Sequence, residues 1–177
     1  ICCLPALVFD LKMVYNHPCR FKIGEGCPLE YAIKHFDSLT PRELYEILRL
    51  RSKVFVVEQR CIYQDLDDYD LDCYHLWLRD EQGIAAYMRL LDKGKYPDSV
   101  SFGRIIAARR REGLGTEIVR RGIIEAKRLY SPDKIRIGAQ LQAEEFYKTL
   151  GFVRCGEEYD EDGIIHVHMV LPLRKED

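Results

Sequence analysis

The sequence predicts a single α/β domain on a sheet of mixed, mostly antiparallel sense, and three observations lead there. A chain of 177 residues that is 47% apolar can bury one core and is short for two. Period-2 stretches alternate with stretches of helical period in the order β-α-β-β-β-α-β-α-β-β, which combines hairpins with strand-helix-strand crossovers. A glycine-containing turn joins one strand directly to a long amphipathic stretch.

Taken in order, residues 1–28 show no sustained period of 2 or 3.6 and read as an extension of unknown role, with the organised domain over 29–177. Residues 30–36 alternate as a strand. Thr40, Pro41 and Glu43 then supply an N-cap, a proline at the first helical position and a capping-box glutamate. The helix they open carries its apolar stripe through Leu44, Ile47, Leu48, Val54 and Phe55. An acidic loop follows, with Asp65, Asp67, Asp68, Asp70 and Asp72. Residues 74–79 and 84–91 form a hairpin about the turn 80–83, and residues 100–107 a further strand. A helix runs from Leu114 to about Leu129 and stops at Ser131-Pro132-Asp133. Residues 134–139 form a strand, residues 143–150 a helix closed by Gly151, and two strands flank Glu161-Asp162-Gly163.

Composition excludes several functions. With 27 basic and 29 acidic residues the formal charge is −2, so no global positive field points to nucleic acid. Ile1 to Phe9 is apolar but too short to span a membrane, and no basic residues precede it, so a protein without membrane association is expected. Seven cysteines without a C-x-x-C or a zinc-ligand spacing read as reduced thiols in a cytoplasmic setting. No metal is expected. With Asp68, Asp70 and Asp72 in calcium-loop register, Cys73 stands at the glycine position and Arg79 at that of the closing glutamate.

The chemistry centres on residues 104–116, an apolar strand, a basic run, two glycines and a helix start. Glycines let backbone N–H groups approach a phosphate, a helix N-terminus adds positive potential, and Arg110 and Arg111 can add charge-assisted hydrogen bonds. A P-loop would need Lys-Ser/Thr after its second glycine, and a dinucleotide fingerprint a glycine where Ile118 stands. An ordinary strand-to-helix turn with solvated arginines is the alternative.

Arg110-x-x-Gly113-x-Gly115 after an apolar strand resembles the acetyl-CoA motif of the GNAT superfamily of N-acetyltransferases. Gln140, Ala143, Phe146-Tyr147 and Leu150-Gly151-Phe152 resemble that family's later motif, in family order. Residues 50–59, the acidic loop with His75, residues 137–140 and 161–169 are similar to the bacterial ElaA-like group, and the resemblance spans about residues 30–173. It implies a single-domain GNAT fold of about six to seven strands, with helices on both faces and a splayed acetyl-CoA groove. The segment before Arg110 is about two residues shorter than the family usually has, which leaves open which amide faces the thioester.

By resemblance, Ile105 and Ile106 pair with the pantetheine arm. Arg110, Arg111, Glu112, Gly113, Leu114, Gly115 and Thr116 hold the pyrophosphate, Gln140 is a cofactor contact or a structural hydrogen-bonding residue, and Tyr147 sits near the sulfur. A phenol keeps its proton at neutral pH and can pass it to the departing thiolate. The acceptor, a primary amine, must shed a proton at a cost of about 4.6 kcal/mol for a lysine-like amine at pH 7. Glu58 in a half-buried setting, His166 two residues from His168, and His75 are the candidate bases. The acidic loop reads as a solvated surface segment, with attraction of a cationic amine as the alternative. Covalent transfer through Cys73 is disfavoured. A non-catalytic acyl-CoA sensor and a homoserine-lactone-synthase-like enzyme remain as other readings. The acceptor is expected to be a small molecule rather than a protein, and a homodimer is left open.

Overall fold

The computed structural model describes residues 19–23 and 28–173. Its strands are β1 Cys19–Phe21, β2 Leu29–His35, β3 Cys73–Asp80, β4 Gly83–Tyr96, β5 Ser99–Ala107, β6 Lys134–Gln140, β7 Val153–Glu161 and β8 Ile164–Pro172. They form one sheet in the order β1-β2-β3-β4-β5-β6-β8-β7. All seven strands read from the sequence are present, and every neighbouring pair is antiparallel except β5 with β6. β1 is an addition: it falls inside the expected extension and pairs with β2 from Cys19↔Tyr31 to Phe21↔Leu29. The rest of residues 1–28, apart from 22, 23 and 28, lies outside the described residues.

Helix α1 (Pro41–Arg51) starts as its sequence dictates. Thr40 Oγ1 accepts from the Glu43 amide at 3.2 Å and the Glu43 carboxylate takes the Thr40 amide at 2.9 Å. The apolar stripe was expected to carry this helix through Phe55, but the backbone widens into a π-helix over Ser52–Glu58. Gln59 N–H reaches back to Val54 O at 2.9 Å, Phe55 turns into the core, and Val56 and Val57 stay exposed.

Alternation along the central strands sends side chains to opposite faces. Leu76, Met88, Leu90, Phe102 and Ile137 meet α2 (Leu114–Tyr130) through Ile118, Val119 and Ala126, and meet α3 (Glu144–Thr149) through Tyr147. Trp77, Tyr87 and Ile106 face the other way and meet Ile47 and Phe55. Each large apolar side chain buried this way contributes roughly 1.5–3 kcal/mol. α2 lies close to the sheet because Gly122 leaves room for Met88, whose Cε would sit 2.6 Å from a β-carbon there.

The acidic loop departs from expectation. Asp65 and Asp70 are buried, together with Arg51 and Arg89. Arg51 donates to Asp65 Oδ2 at 3.0 Å and Asp70 Oδ1 at 2.6 Å, Arg89 to Asp67 Oδ1 at 2.5 Å and Asp70 Oδ1 at 3.0 Å, and Arg104 to Asp65 Oδ1 at 2.6 Å. Three of the five aspartates are thus consumed by three arginines while Asp68 and Asp72 stay exposed, so the loop is only in part the solvated segment expected, and its buried carboxylates are no free lure for an amine. Charges taken from water need such mutual pairing, and removing one partner strands the others.

Asp70→Asn should therefore lower the unfolding free energy by roughly 3–5 kcal/mol in a denaturant titration. Burial alone would raise the Asp70 carboxyl, but Arg51 and Arg89 outweigh it and hold it below the usual carboxylate range. Its contribution is then complete above the unfolded carboxyl's value of about 3.9 and is lost as pH falls through the lower folded value. The acid-side loss of stability should be shallower in the variant.

Candidate active site

β5 and β6 pair only at Val100↔Ile135 and Ser101↔Arg136, after which they part. A bulge in β5 accompanies the parting: Arg89 faces Gly103 and Tyr87 faces Ile106, so Arg104 and Ile105 together oppose Met88. Arg104 takes the left-handed conformation, φ 52°, and its side chain leaves for the buried Asp65. The cleft so opened is lined by Ile105, Gly138, Gln140, Ala143, Tyr147 and His166 among others. Ile106 instead turns its side chain into the core beneath α1.

At one end of β5 lies the glycine turn. The Ala108 amide still bonds to Ala85 O at 2.8 Å, and the short segment that follows closes with two left-handed residues, Arg111 at φ 65° and Gly113 at φ 74°. Gly113 caps α2 without a side chain, and the first intrahelical amide to bond is that of Glu117, to Gly113 O at 3.0 Å. The Leu114, Gly115 and Thr116 amides precede it and have no acceptor within the helix. Arg109 is engaged by Asp80 at 2.6 Å and Glu112 at 2.8 Å. Arg110 and Arg111 are exposed and have no ion-pair partner among the described residues. Orphan amides, a helix dipole and two available guanidiniums fit a pyrophosphate. Phe146 packs against the helix start, its Cζ 3.4 Å from where a Gly115 β-carbon would stand, and so couples this turn to the neighbouring Tyr147.

Tyr147 is 8% exposed and packs edge-on against Phe146 and Phe152, with ring centroids 5.0 Å and 5.8 Å away. Burial pushes its phenol above the ordinary tyrosine value, so the group is protonated at neutral pH. Its hydroxyl has no hydrogen-bond partner among the described residues. His166 Nδ1 lies 2.8 Å from Ile164 O. A carbonyl only accepts, so Nδ1 carries the proton and Nε2 is the basic nitrogen of the neutral ring. Gln140 donates to Gln59 Oε1 at 3.3 Å and accepts from Gln142 at 2.8 Å, tying β6 to the end of the π-helix.

The other candidate bases stand elsewhere. Glu58 is exposed, 3.9 Å from Lys53 Nζ, and is not among the residues lining the cleft. The half-buried setting expected for it is absent, because the π-helical segment turns Phe55 inward and leaves residues 56–58 at the surface. His168 stacks on Tyr159 at 4.4 Å and does not line the cleft. His75 is fully buried between Tyr87 Oη at 2.7 Å and Asp70 O at 3.1 Å, and burial lowers its basicity. Cys73, with its thiol pushed up to about 12 by burial, is a poor nucleophile. Asp70, Cys73 and His75 bring ligand-type atoms within 4.8 Å of one another, but both His75 nitrogens are committed and Asp70 is held by Arg51 and Arg89.

Sequence reasoning missed Arg104, Gln59, Gly138, Tyr159 and Glu161. A signal existed for one of them, since a glycine inside an apolar strand marks a close approach. A β-carbon on Gly138 would stand 2.5 Å from Tyr159 Oη.

Residues 40–173 match the family model described as an acetyltransferase (GNAT) domain. A UPF0039 protein of Schizosaccharomyces pombe is 39% identical over 82% of this chain and 98% of its own length. The crystal structure of an acyl-CoA N-acyltransferase from Pseudomonas aeruginosa superposes with a TM-score of 0.76 at 39% identity, over 80% of this chain and 98% of that one. Escherichia coli ElaA superposes at 0.75 with 34% identity, over 80% and 98%.

Gly113→Asp would force a side chain into a left-handed position where a β-carbon already stands 3.2 Å from Ile23 Cγ2, and would place a carboxylate among the orphan amides. Calorimetric titration with acetyl-CoA should show affinity reduced by roughly 10-fold or more. Unchanged affinity would count against this turn as the phosphate site.

Proposed function

The chain belongs to the GNAT acetyltransferase family, and from that premise we propose that it moves an acetyl group from acetyl-CoA to a primary amine by direct attack. The observation that carries this reading is the parting of β5 and β6 between the glycine turn and the Tyr147 end of the cleft. Acyl transfer as such follows from the family. The acetyl donor, the amine and the residue roles are the proposal.

In this reading the amides from Arg111 to Thr116, with the Arg110 and Arg111 guanidiniums, hold the pyrophosphate of the donor. The unpaired edge of β5 at Ile105 and Ile106 offers backbone groups to the pantetheine amides, and Gln140 closes the opposite wall. An amine held beside the thioester attacks its carbonyl carbon and passes a proton to His166 Nε2. A β5 amide near the bulge steadies the oxyanion. When the tetrahedral species collapses the C–S bond breaks, and Tyr147 gives its proton to the leaving sulfur. Glu58 has no part in this scheme, because it is exposed and away from the cleft. The acceptor is read as a small molecule, because a domain of this size has little room for a dedicated protein-docking surface.

Thiol release from acetyl-CoA across a panel of amines tests the reading directly. Tyr147→Phe should lower kcat by roughly 100-fold or more while leaving acetyl-CoA affinity unchanged. His166→Ala should lower kcat/KM by a similar roughly 100-fold factor. Binding of acetyl-CoA with no turnover of any amine would instead identify an acyl-CoA sensor. Full activity in Tyr147→Phe would remove the acid role.

A further inference from the structure

The glycine turn is touched by a residue from outside the segment that carries the family match. That match covers residues 40–173, whereas β1 and Ile23 precede it. Sheet register brings them to the turn. Phe21 pairs with Leu29, Glu30 with Arg79, Asp80 with Gly83 and Ala86 with Ala107. The end of β1 therefore lies along the same margin of the sheet as the end of β5, where the turn begins. α2 in turn reaches back as far as β2, where the Arg121 guanidinium lies 4.4 Å from the centre of the Tyr31 ring.

Ile23 makes the contact. It is half-buried against the main core cluster, to which Leu29 and Leu114 belong, and its Cγ2 stands 3.2 Å from where a Gly113 β-carbon would be. A methyl group thus faces the bare α-carbon of the residue that caps α2. The turn needs support there, because Arg111 (φ 65°) and Gly113 (φ 74°) are both left-handed. A non-glycine residue such as Arg111 keeps that conformation only where its surroundings impose it. Elsewhere the Ala108 amide on Ala85 O and the Arg109 pair with Asp80 secure the start of the turn. Phe146 secures its helical end at Gly115. Between them residues 110–112 are exposed, and Ile23 meets the chain where it re-enters the fold.

We infer that Ile23 is a positioning residue of the coenzyme site, its methyl bracing Gly113 so that the Leu114, Gly115 and Thr116 amides are preset for the pyrophosphate. A turn shaped before its ligand arrives spends no binding free energy on being ordered. Ile23 touches no reacting atom, so it acts on affinity for the donor and not on the chemistry beside Tyr147. This inference rests on the reading of the glycine turn as the phosphate site, which Gly113→Asp tests by itself.

The test is calorimetric titration with acetyl-CoA of the full chain and of four variants. Ile23→Ala removes Cγ2 and should weaken affinity by roughly 10-fold. Ile23→Val keeps Cγ2 and should bind within about 2-fold of the parent. Ile33→Ala controls for lost packing alone, since Ile33 is half-buried on β2 against the same core cluster. It should lower stability in a denaturant titration and leave acetyl-CoA affinity unchanged. With an amine that turns over, Ile23→Ala should raise the KM for acetyl-CoA and leave kcat as it is. If Ile23→Ala binds as tightly as the parent or more tightly while Gly113→Asp binds weakly, the inference is overturned and the phosphate site stands. An equal loss in Ile33→Ala also overturns it, because general loosening of the core then accounts for the effect. Unchanged affinity in Gly113→Asp removes the phosphate site, and the brace falls with it.

Discussion

The site depends on a pairing that stops. Backbone N–H and C=O groups in a folded chain are costly to bury unpaired, and a sheet satisfies them by continuing its ladders. Here the one parallel pair, β5 with β6, is abandoned after Ser101 and Arg136. The edges of both strands then face a cleft instead of each other. Such edges suit a ligand with amides of its own, and the bulge at Arg104 bends β5 away in the same stretch. The helix that starts at Leu114 and the aromatic group of Phe102, Tyr147 and Phe152 occupy one face of this opening and help keep the two strands apart.

The bulge is secured from the other face. Arg104 holds a left-handed conformation that costs a non-glycine residue energy, and its guanidinium is tied to Asp65 and Asp67. Those aspartates share a buried network with Arg51 and Arg89. Such a network contributes little net stability relative to an apolar core, because each charge was first taken from water. What it does supply is direction. Each guanidinium accepts partners only in its own plane, so loop 65–70, the end of α1 and strands β4 and β5 are held in one relative arrangement. Gly103 lies beside the same arrangement, where a β-carbon would make ordinary contact with Arg89 Nη2 at 3.6 Å.

Both ends of the cleft are served by loops whose backbones need unusual conformations. Arg111 and Gly113 turn the chain into α2, and Asp162 and Gly163 turn β7 into β8. The first turn leaves the Leu114, Gly115 and Thr116 amides without helical acceptors, and the second sets Glu161 and Asp162 on the lining of the cleft.

Much of this was legible in the sequence because it is written in local patterns. Thr40-Pro41-Arg42-Glu43 is a helix start wherever it folds, alternation in residues 74–91 is a hairpin, and Gly113 marks the turn from strand into helix. Local physics also sets the order of elements and the face each helix buries. Tertiary structure alone decided the rest. Five aspartates in one loop all look solvated until Arg51, Arg89 and Arg104 arrive from three other elements and engage three of them, the farthest 39 residues away in sequence. Glu58 and His75 look like bases until the π-helical segment leaves one in solvent and the sheet buries the other. The parting of β5 from β6 was not legible, because it depends on which strands come to lie side by side and on the bulge at Arg104 and Ile105, whose left-handed turn is tied to Asp65 of a loop 39 residues away.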